Sequence, residues 1–429
     1  MMEGLRDGVI VANYARNTSY PLAEALHGAG YLRKYVTSVY YKPDTVAGRA
    51  LRALAGRVSG ADLKRLLNRR ADGVPDDRVA SVPVPELVEQ AASRAMTRLG
   101  RDHRSAVYLK CEAFDWWVAH RHVEPCAIFH GYEQCALFSL RRARALGAIT
   151  VLDQLIIHRT ELDRIEREER ARMGVPAPTT YPFWHQQHID RKYAEHAVTD
   201  YNFAGTEFVK RSMVANGFPA DRVFVIPYGV DVTNLRFVER PARPGFNILY
   251  VGPLHYWKGL HYLLDVIPRL DVPGARLTIV GRPDPEWADY FEPRIAALGD
   301  LVRHIPGVPQ AEMPQMYAEA DVLAFPSLVG GIGLVCFEAM ATGLPVITSD
   351  GDVVIRDGID GLSVPVTDLP GWKRALETLA ADRPRRLALG AAGAERTKIF
   401  SWDAYRRGVV SAYDAIWERE RTGRKEARS

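Results

Sequence analysis

The sequence predicts an α/β protein built from two doubly wound parallel-sheet domains. Three observations carry that reading. The chain has 429 residues, 47% of them hydrophobic, which is enough for more than one core. Short apolar strands alternate with amphipathic helices in two successive runs. Between the runs, at 227–245, the periodicity is lost among prolines and arginines, as in a linker.

In the first run, Gly8–Ala12 is an apolar strand, followed by a polar loop from Asn13 to Tyr20. A helix opens at Pro21, because proline suits a first helical turn. Lys34–Tyr41 is rich in strand-forming residues. A strand at Cys126–Phe129, a helix near Gln134–Leu146 and a strand at Ala148–Leu152 follow, the succession of a parallel sheet. Glu161–Met173 carries so many charges that a solvated surface helix is expected. The run closes with a strand near Tyr201, a helix at Glu207–Asn216 and a strand at Val223–Ile226.

The second run has strands at Asn247–Val251, Arg276–Val280, Leu301–Ile305, Val322–Phe325 and Pro345–Thr348. Helices at Gly259–Leu270, Pro285–Leu298, Glu312–Ala320 and Gly333–Ala341 join them. The expected division is a first domain at 1–235, a linker at 236–245 and a second domain at 246–400. A last helix, clearest over Trp402–Trp417 within 401–429, is expected to pack back towards the first domain.

Composition excludes several classes. A net charge of +4 without a basic and aromatic stripe argues against nucleic-acid binding. Cys111, Cys126, Cys135 and Cys336 form no CxxC pair, so reduced thiols are expected. The first residues lack a signal-peptide pattern and no run is long enough to span a bilayer, so a cytoplasmic protein is expected.

The chemistry concentrates in FPSLVGGIGLVCFEAMATGLPVI, residues 325–347. A buried strand ends there, a glycine-bearing loop follows, and a helix begins near Gly333. Ligands of open parallel sheets sit at the carboxyl ends of strands, where a helix start presents unpaired N–H groups. Gly331 and Gly333 allow a phosphate or sugar close to the backbone. Glu338 lies on an otherwise apolar helix, so its carboxylate needs donors, and ribose hydroxyls would serve. Lys258, at a strand end just before a helix start, suits a phosphate.

This stretch resembles the signature of the group 1 (family 4) glycosyltransferases, PS-x-x-EGFGL-x-x-x-EAMA-x-G-x-PVI. LYVGPLHYWKGL, RLTIVG with VRHIPGVPQAEMPQMYAEADVLAFPS, and TEFVKRSMVANGFPADRVFVIPYGVD are similar to further stretches of that family. The resemblance covers most of 195–365 and implies the GT-B fold, two Rossmann-like domains facing across a cleft. It implies transfer of a sugar from a nucleotide-sugar, such as a UDP- or GDP-sugar, with retention of anomeric configuration. The acceptor would be a sugar, a lipid-linked molecule or a small metabolite. By the same resemblance Lys258 and Gly252 meet the diphosphate, Glu338 holds the ribose, and Ile332, Gly333 and Leu334 line sugar and phosphate. Val308 falls where the backbone meets the base. No cofactor and no essential metal are expected, and the sequence shows no His/Cys ligand cluster.

Two positions depart from the family pattern. Pro253 stands for its phosphate-binding arginine and Gly330 for the first glutamate of its pair. Arg282 or His255 is the expected replacement cation. These departures are what a non-catalytic partner protein on this fold would show. The KG and EAMATG elements argue against a sugar-nucleotide epimerase, while a C–N coupling enzyme differs only in its product.

On the first domain, His130 is expected just past a strand end, as an acceptor-binding and catalytic group. Asn13, Tyr14 and Asp153 are further expected acceptor contacts. The basic, helical pattern of 46–70 makes peripheral contact with an anionic membrane face a further expectation.

Overall fold

The computed structural model describes residues 5–16, 18–45, 49, 67, 69–99, 103–176, 183–232, 235–329, 333–349 and 355–426. The basic segment 46–70 lies almost wholly outside them.

The N-terminal domain starts with β1 (Val9–Ala12), buried throughout because helices cover both faces of its sheet. Then come α1 (Ser19–Gly28), β2 (Leu32–Thr37), β3 (Val79–Ser81), α2 (Val84–Arg98) and α3 (Arg104–Arg121). The chain continues through β4 (Ile128–Tyr132), α4 (Leu137–Ala145), β5 (Ile149–Gln154), α5 (Arg159–Met173) and α6 (Phe183–Ala197). It ends with β6 (Tyr201–Ala204), α7 (Glu207–Ala215) and β7 (Val223–Val225). The Thr206 hydroxyl caps α7 by accepting from the Val209 amide at 3.1 Å. The seven strands run parallel in the order β3-β2-β1-β4-β5-β6-β7, with Val11 opposite His130 and Tyr132 opposite Asp153.

The C-terminal domain has β8 (Phe246–Val251), α8 (Leu260–Val266), β9 (Ala275–Val280), α9 (Ala288–Ala297), β10 (Val302–Ile305) and α10 (Met313–Glu319). After β11 (Val322–Phe325) come α11 (Leu334–Ala341), β12 (Val346–Thr348), β13 (Leu362–Ser363), α12 (Leu369–Ala381), α13 (Arg383–Thr397) and α14 (Trp402–Glu426). Its sheet is parallel in the order β10-β9-β8-β11-β12-β13. The strand order reverses between β1 and β4 in one sheet and between β8 and β11 in the other. Those are the places where a doubly wound sheet opens a crevice for ligand.

The long helix α14 returns to the first domain. Tyr405, Val409, Tyr413 and Ile416 are buried in the core that β1, β4 and β5 share, worth roughly 1.5–3 kcal/mol for each large side chain. Tyr31 donates to Asp414 at 2.7 Å and Arg406 pairs with Glu24 at 2.7 Å. The segment between domains is held as firmly. Arg240 is buried and donates to the carbonyls of Val238, Tyr317, Ala320 and Thr342 at 2.9–3.3 Å.

One pair of elements is new and one expectation is corrected. The α2–α3 hairpin has no counterpart in the sequence reading. And α5 is not a merely solvated helix: Glu169 is buried, accepting from the Tyr262 hydroxyl at 2.8 Å and lying 2.8 Å from His261 Nε2 on α8. Arg170 beside it is also buried, pairing with Glu166 at 2.9 Å and with Glu286. The helix therefore joins the two domains. Among the described residues no helix is long and apolar enough to cross a membrane.

Candidate active site

The site forms where the carboxyl ends of β8 and β11 meet. After Val251 the chain passes Gly252 and Pro253 into a tight turn, Tyr256–Lys258, and Gly259 opens α8 with φ +64°. A Cβ at Gly259 would lie 1.9 Å from the carbonyl oxygen of Pro326, so only glycine lets this turn close on the end of β11. That contact fixes Lys258. Its ammonium sits 5.1 Å from the centroid of the Phe325 ring, and burial lowers its pKa. Among the described residues no carboxylate pairs with it. A half-buried ammonium without a counter-ion is poised for an anionic ligand.

Gly333 caps α11 and is buried against Phe325 and Cys336. The expected backbone donor Ile332 lies outside the described residues, as do Gly330 and Gly331. Leu334 is 48% exposed and lines the interdomain gap. Glu338, two-thirds of the way along α11, accepts from the buried Tyr317 hydroxyl at 2.5 Å. Burial and the neighbouring carboxylate both push the Tyr317 hydroxyl up, so it remains a donor and holds Glu338 in one orientation.

Two cavities flank this point, each walled by both domains. One of about 1190 Å³ is lined by Arg16, Thr18 and Tyr228 on one side and Met313, Leu334 and Glu338 on the other. The second, about 600 Å³, takes Tyr108, Arg159, His188 and Lys192 from the first domain and Pro253, His255, Trp257 and Lys258 from the second. Lys258 and Glu338 thus line two separate cavities, each lying between the domains.

The replacement cations stand differently. His255 lines the second cavity, but burial lowers it to about 4, so it is neutral near pH 7 and accepts from the Trp257 amide at 3.2 Å. Arg282 is exposed, lies over Gly307 and lines neither cavity. Val308 is half-buried and packs on the core around Phe325 and Phe337.

On the N-terminal side the structure corrects the placement of His130. The strand does not stop at Phe129 but runs to Tyr132, so His130 is interior to β4 and fully buried. Its Nδ1 lies 2.8 Å from the Tyr413 hydroxyl of α14, and its Nε2 3.9 Å from Asp153. Covered by Tyr413 and Phe203, it offers no surface to an acceptor. Asp153 is likewise buried inside β5, accepting from the Tyr228 hydroxyl at 3.0 Å. Asn13 is buried at the end of β1, where its side chain accepts from the Ala15 amide at 3.2 Å. Tyr14 is half-buried, edge-on to Phe114 with the Lys110 ammonium 4.7 Å above its ring. His130 and Asp153 therefore form the layer beneath Tyr228, which is itself the surface of the larger cavity.

Burial shapes the charge of that layer. Asp153 is pushed up to about 7 and His130 down to about 3. The raised acid contributes stability that is whole below about pH 4 and lost as pH rises through 7, because the folded chain keeps a proton the unfolded chain has released. His130 works the other way, its contribution complete above about pH 6.5 and lost as pH falls towards 3. Asp153→Asn keeps the acceptor for Tyr228 and removes the acid. Its stability relative to wild type is expected to rise by about 2 kcal/mol between pH 5 and pH 8. Urea unfolding at the two pH values measures this; an equal difference at both would contradict a buried, neutral Asp153.

With this geometry in view, the two-sheet architecture and the interdomain gap define a GT-B protein. Residues 245–382, most of the C-terminal domain, match the family of glycosyl transferases group 1. The chain is 30% identical over 223 residues to the D-inositol 3-phosphate glycosyltransferase of Nocardia farcinica, covering 47% of this chain and 49% of the relative. It is 32% identical over 203 residues to the phosphatidyl-myo-inositol mannosyltransferase of Mycolicibacterium smegmatis, covering 44% and 51%. It thus spans about half the length of these curated relatives. Among solved structures, sucrose-phosphate synthase from Thermosynechococcus elongatus aligns over 96% of this chain and 99% of its own, with 19% identity and a TM-score of 0.59. Anabaena HepE in complex with UDP-glucose aligns over 95% and 99%, with 12% identity and a TM-score of 0.59. At such identities the likeness concerns the fold alone.

Proposed function

We propose that the protein transfers a glycosyl group from a nucleotide-sugar to an acceptor hydroxyl, with retention of configuration and without an essential metal. The observation that carries this reading is Lys258, half-buried at the crevice between β8 and β11 near the start of α11 and paired with no carboxylate among the described residues. An ammonium and a helix N-terminus together answer the two negative charges of a leaving diphosphate. Glu338, oriented by Tyr317, suits ribose hydroxyls, which places the nucleoside in the larger cavity. The C1–oxygen bond to phosphate breaks, the acceptor oxygen bonds to C1, and the acceptor's proton passes to the departing diphosphate. Catalysis is then positioning and charge stabilisation, with no carboxylate pair involved.

In this reading the second-domain wall of the smaller cavity, with Lys258, takes the diphosphate, and its first-domain wall faces the acceptor. Arg159 is buried there and pairs with Asp163, while Lys192 pairs with Glu133 at 3.2 Å, so the wall is polar with its cations largely neutralised and suits a hydroxyl-bearing acceptor. The relatives' names, which contain inositol phosphate and phosphatidylinositol, are compatible with that. We place the reaction in the cytoplasm, with the basic segment 46–70 as one contact to a membrane face.

The test is release of nucleoside diphosphate from UDP- and GDP-hexoses in the presence of phosphorylated and free polyols, with the product's anomeric configuration read by NMR. Glu338→Gln keeps the bond to Tyr317 and loses charge-assisted bonds to ribose. Its KM for the donor is expected to rise about tenfold, with kcat changing much less. Inverted product would remove the retaining mechanism, and an unchanged KM would remove Glu338 from the donor site.

A further inference from the structure

The hairpin of α2 and α3 is built inside out. On α2, positions 84, 87, 88, 91, 95 and 99 recur at helical spacing and so share one face, and that face points to solvent. Val84, Leu87, Val88 and Leu99, with Leu109 and Trp116 on α3, are each 50–71% exposed. Trp117 is 39% exposed beside them. The carboxylates go the opposite way. Glu86 is buried, 2.5 Å from the Arg69 guanidinium, and Glu89 pairs with Lys110 at 3.3 Å. Glu112 and Asp115 both pair with Arg191 of α6. A soluble helix normally turns its aliphatic stripe inward, and an outward stripe of this size marks a surface that is covered in use.

The charges say by what. Among the described residues, the charged side chains of this hairpin that remain exposed are arginines, Arg94, Arg98 and Arg121 among them. Aliphatic side chains, two indoles and guanidinium groups, with no exposed carboxylate among the described residues of α2 and α3, are the composition that partitions into an anionic headgroup layer. The position fits as well. The other side of α3 supplies Tyr108 and Cys111 to the smaller interdomain cavity, so whatever covers the hairpin lies next to that cavity.

We infer that the α2–α3 hairpin docks the protein on the surface of a bilayer rich in anionic lipid. The exposed aliphatic and tryptophan side chains enter the boundary between headgroups and acyl chains, and the arginines meet lipid phosphates. This surface is distinct from segment 46–70, and the inference does not depend on the transferase reading, because vesicle binding needs no donor or turnover.

The experiment is co-sedimentation of the full chain with vesicles of phosphatidylcholine alone and with about 30% phosphatidylglycerol, at low and at physiological salt. The wild type is expected to sediment with the anionic vesicles and to be released as salt rises. Leu87→Glu with Val88→Glu is expected to weaken binding by at least about tenfold, since both residues are already solvated in the free protein. Arg94→Glu with Arg98→Glu should do the same through charge, and this second pair tests the docking face even if the first perturbs α2. Wild type that stays in the supernatant at low salt overturns the inference. So does sedimentation of both double variants at the wild-type level. If light scattering instead finds a wild-type dimer that Leu87→Glu with Val88→Glu splits, without vesicle binding, the stripe is an interface between copies of the chain.

Discussion

Lys258→Ala is expected to lower kcat/KM for the nucleotide-sugar by about a hundredfold or more, the usual cost of removing one preorganised group that meets transition-state charge. The reason is local. The ammonium has no carboxylate partner among the described residues and lies over Phe325, so its charge is reserved for a ligand. The fold should tolerate the change, because removing an unpaired, partly desolvated charge relieves a cost. Steady-state kinetics on a variant with an unchanged melting curve make the comparison. Lys258→Arg should recover only part of the rate, since the longer fork needs space that Pro253 and Trp257 occupy in the same cavity. A variant that turns over normally would remove Lys258 from the reaction.

The largest effect on stability is expected from Gly259→Ala. The residue holds φ +64°, a conformation that costs a side-chain-bearing residue about 1–2 kcal/mol. Its new Cβ would also lie 1.9 Å from the Pro326 carbonyl oxygen. That neighbour is backbone at the end of a central strand and cannot rotate away, so a further 1–3 kcal/mol of overpacking is expected, roughly 3 kcal/mol in all. The damage is also functional, because the turn that must shift carries Lys258. Urea unfolding of the C-terminal domain measures the first effect and donor affinity the second. Wild-type stability would mean that the β8 and β11 ends are not clamped together here.

Why the second domain's site residues are legible in the sequence and the first domain's are not follows from distance along the chain. Lys258, Gly259 and the α11 start lie on single strand–turn–helix units, so their geometry is encoded within about ten residues and their spacing reveals it. Glu338 is readable as an odd carboxylate on an apolar helix, yet its partner Tyr317 is 21 residues away on α10 and gives no local sign. His130 is the harder case. It looks like a strand-end histidine because Gly131 follows it, but β4 continues and the hydroxyl that covers it comes from Tyr413, 283 residues on. Asp153 is hidden in the same way beneath Tyr228, 75 residues away.

The helices mislead for another reason. A charge-rich sequence such as Glu161–Met173 reads as solvated, but Glu169 and Arg170 find complementary groups on the opposite domain. The α2 sequence has a clear apolar stripe, and period alone cannot tell that it faces outward. Only the ion pairs of Glu86 and Glu89 reveal which side is in. The segment 227–245 reads as a linker from its prolines, whereas Arg240 fastens it to the carbonyls around α10 and α11. It thereby supports the elements that carry Tyr317 and Glu338.

The central claim is that the crevice between β8 and β11 is a diphosphate site whose charge is met by Lys258. Calorimetric titration of the wild type and Lys258→Ala with UDP and UMP, and with GDP and GMP, addresses it most directly. The account predicts that the diphosphate binds the wild type more tightly than the monophosphate by about tenfold or more, and that this margin shrinks towards nothing in Lys258→Ala while monophosphate binding persists. A margin of wild-type size in the variant would contradict it.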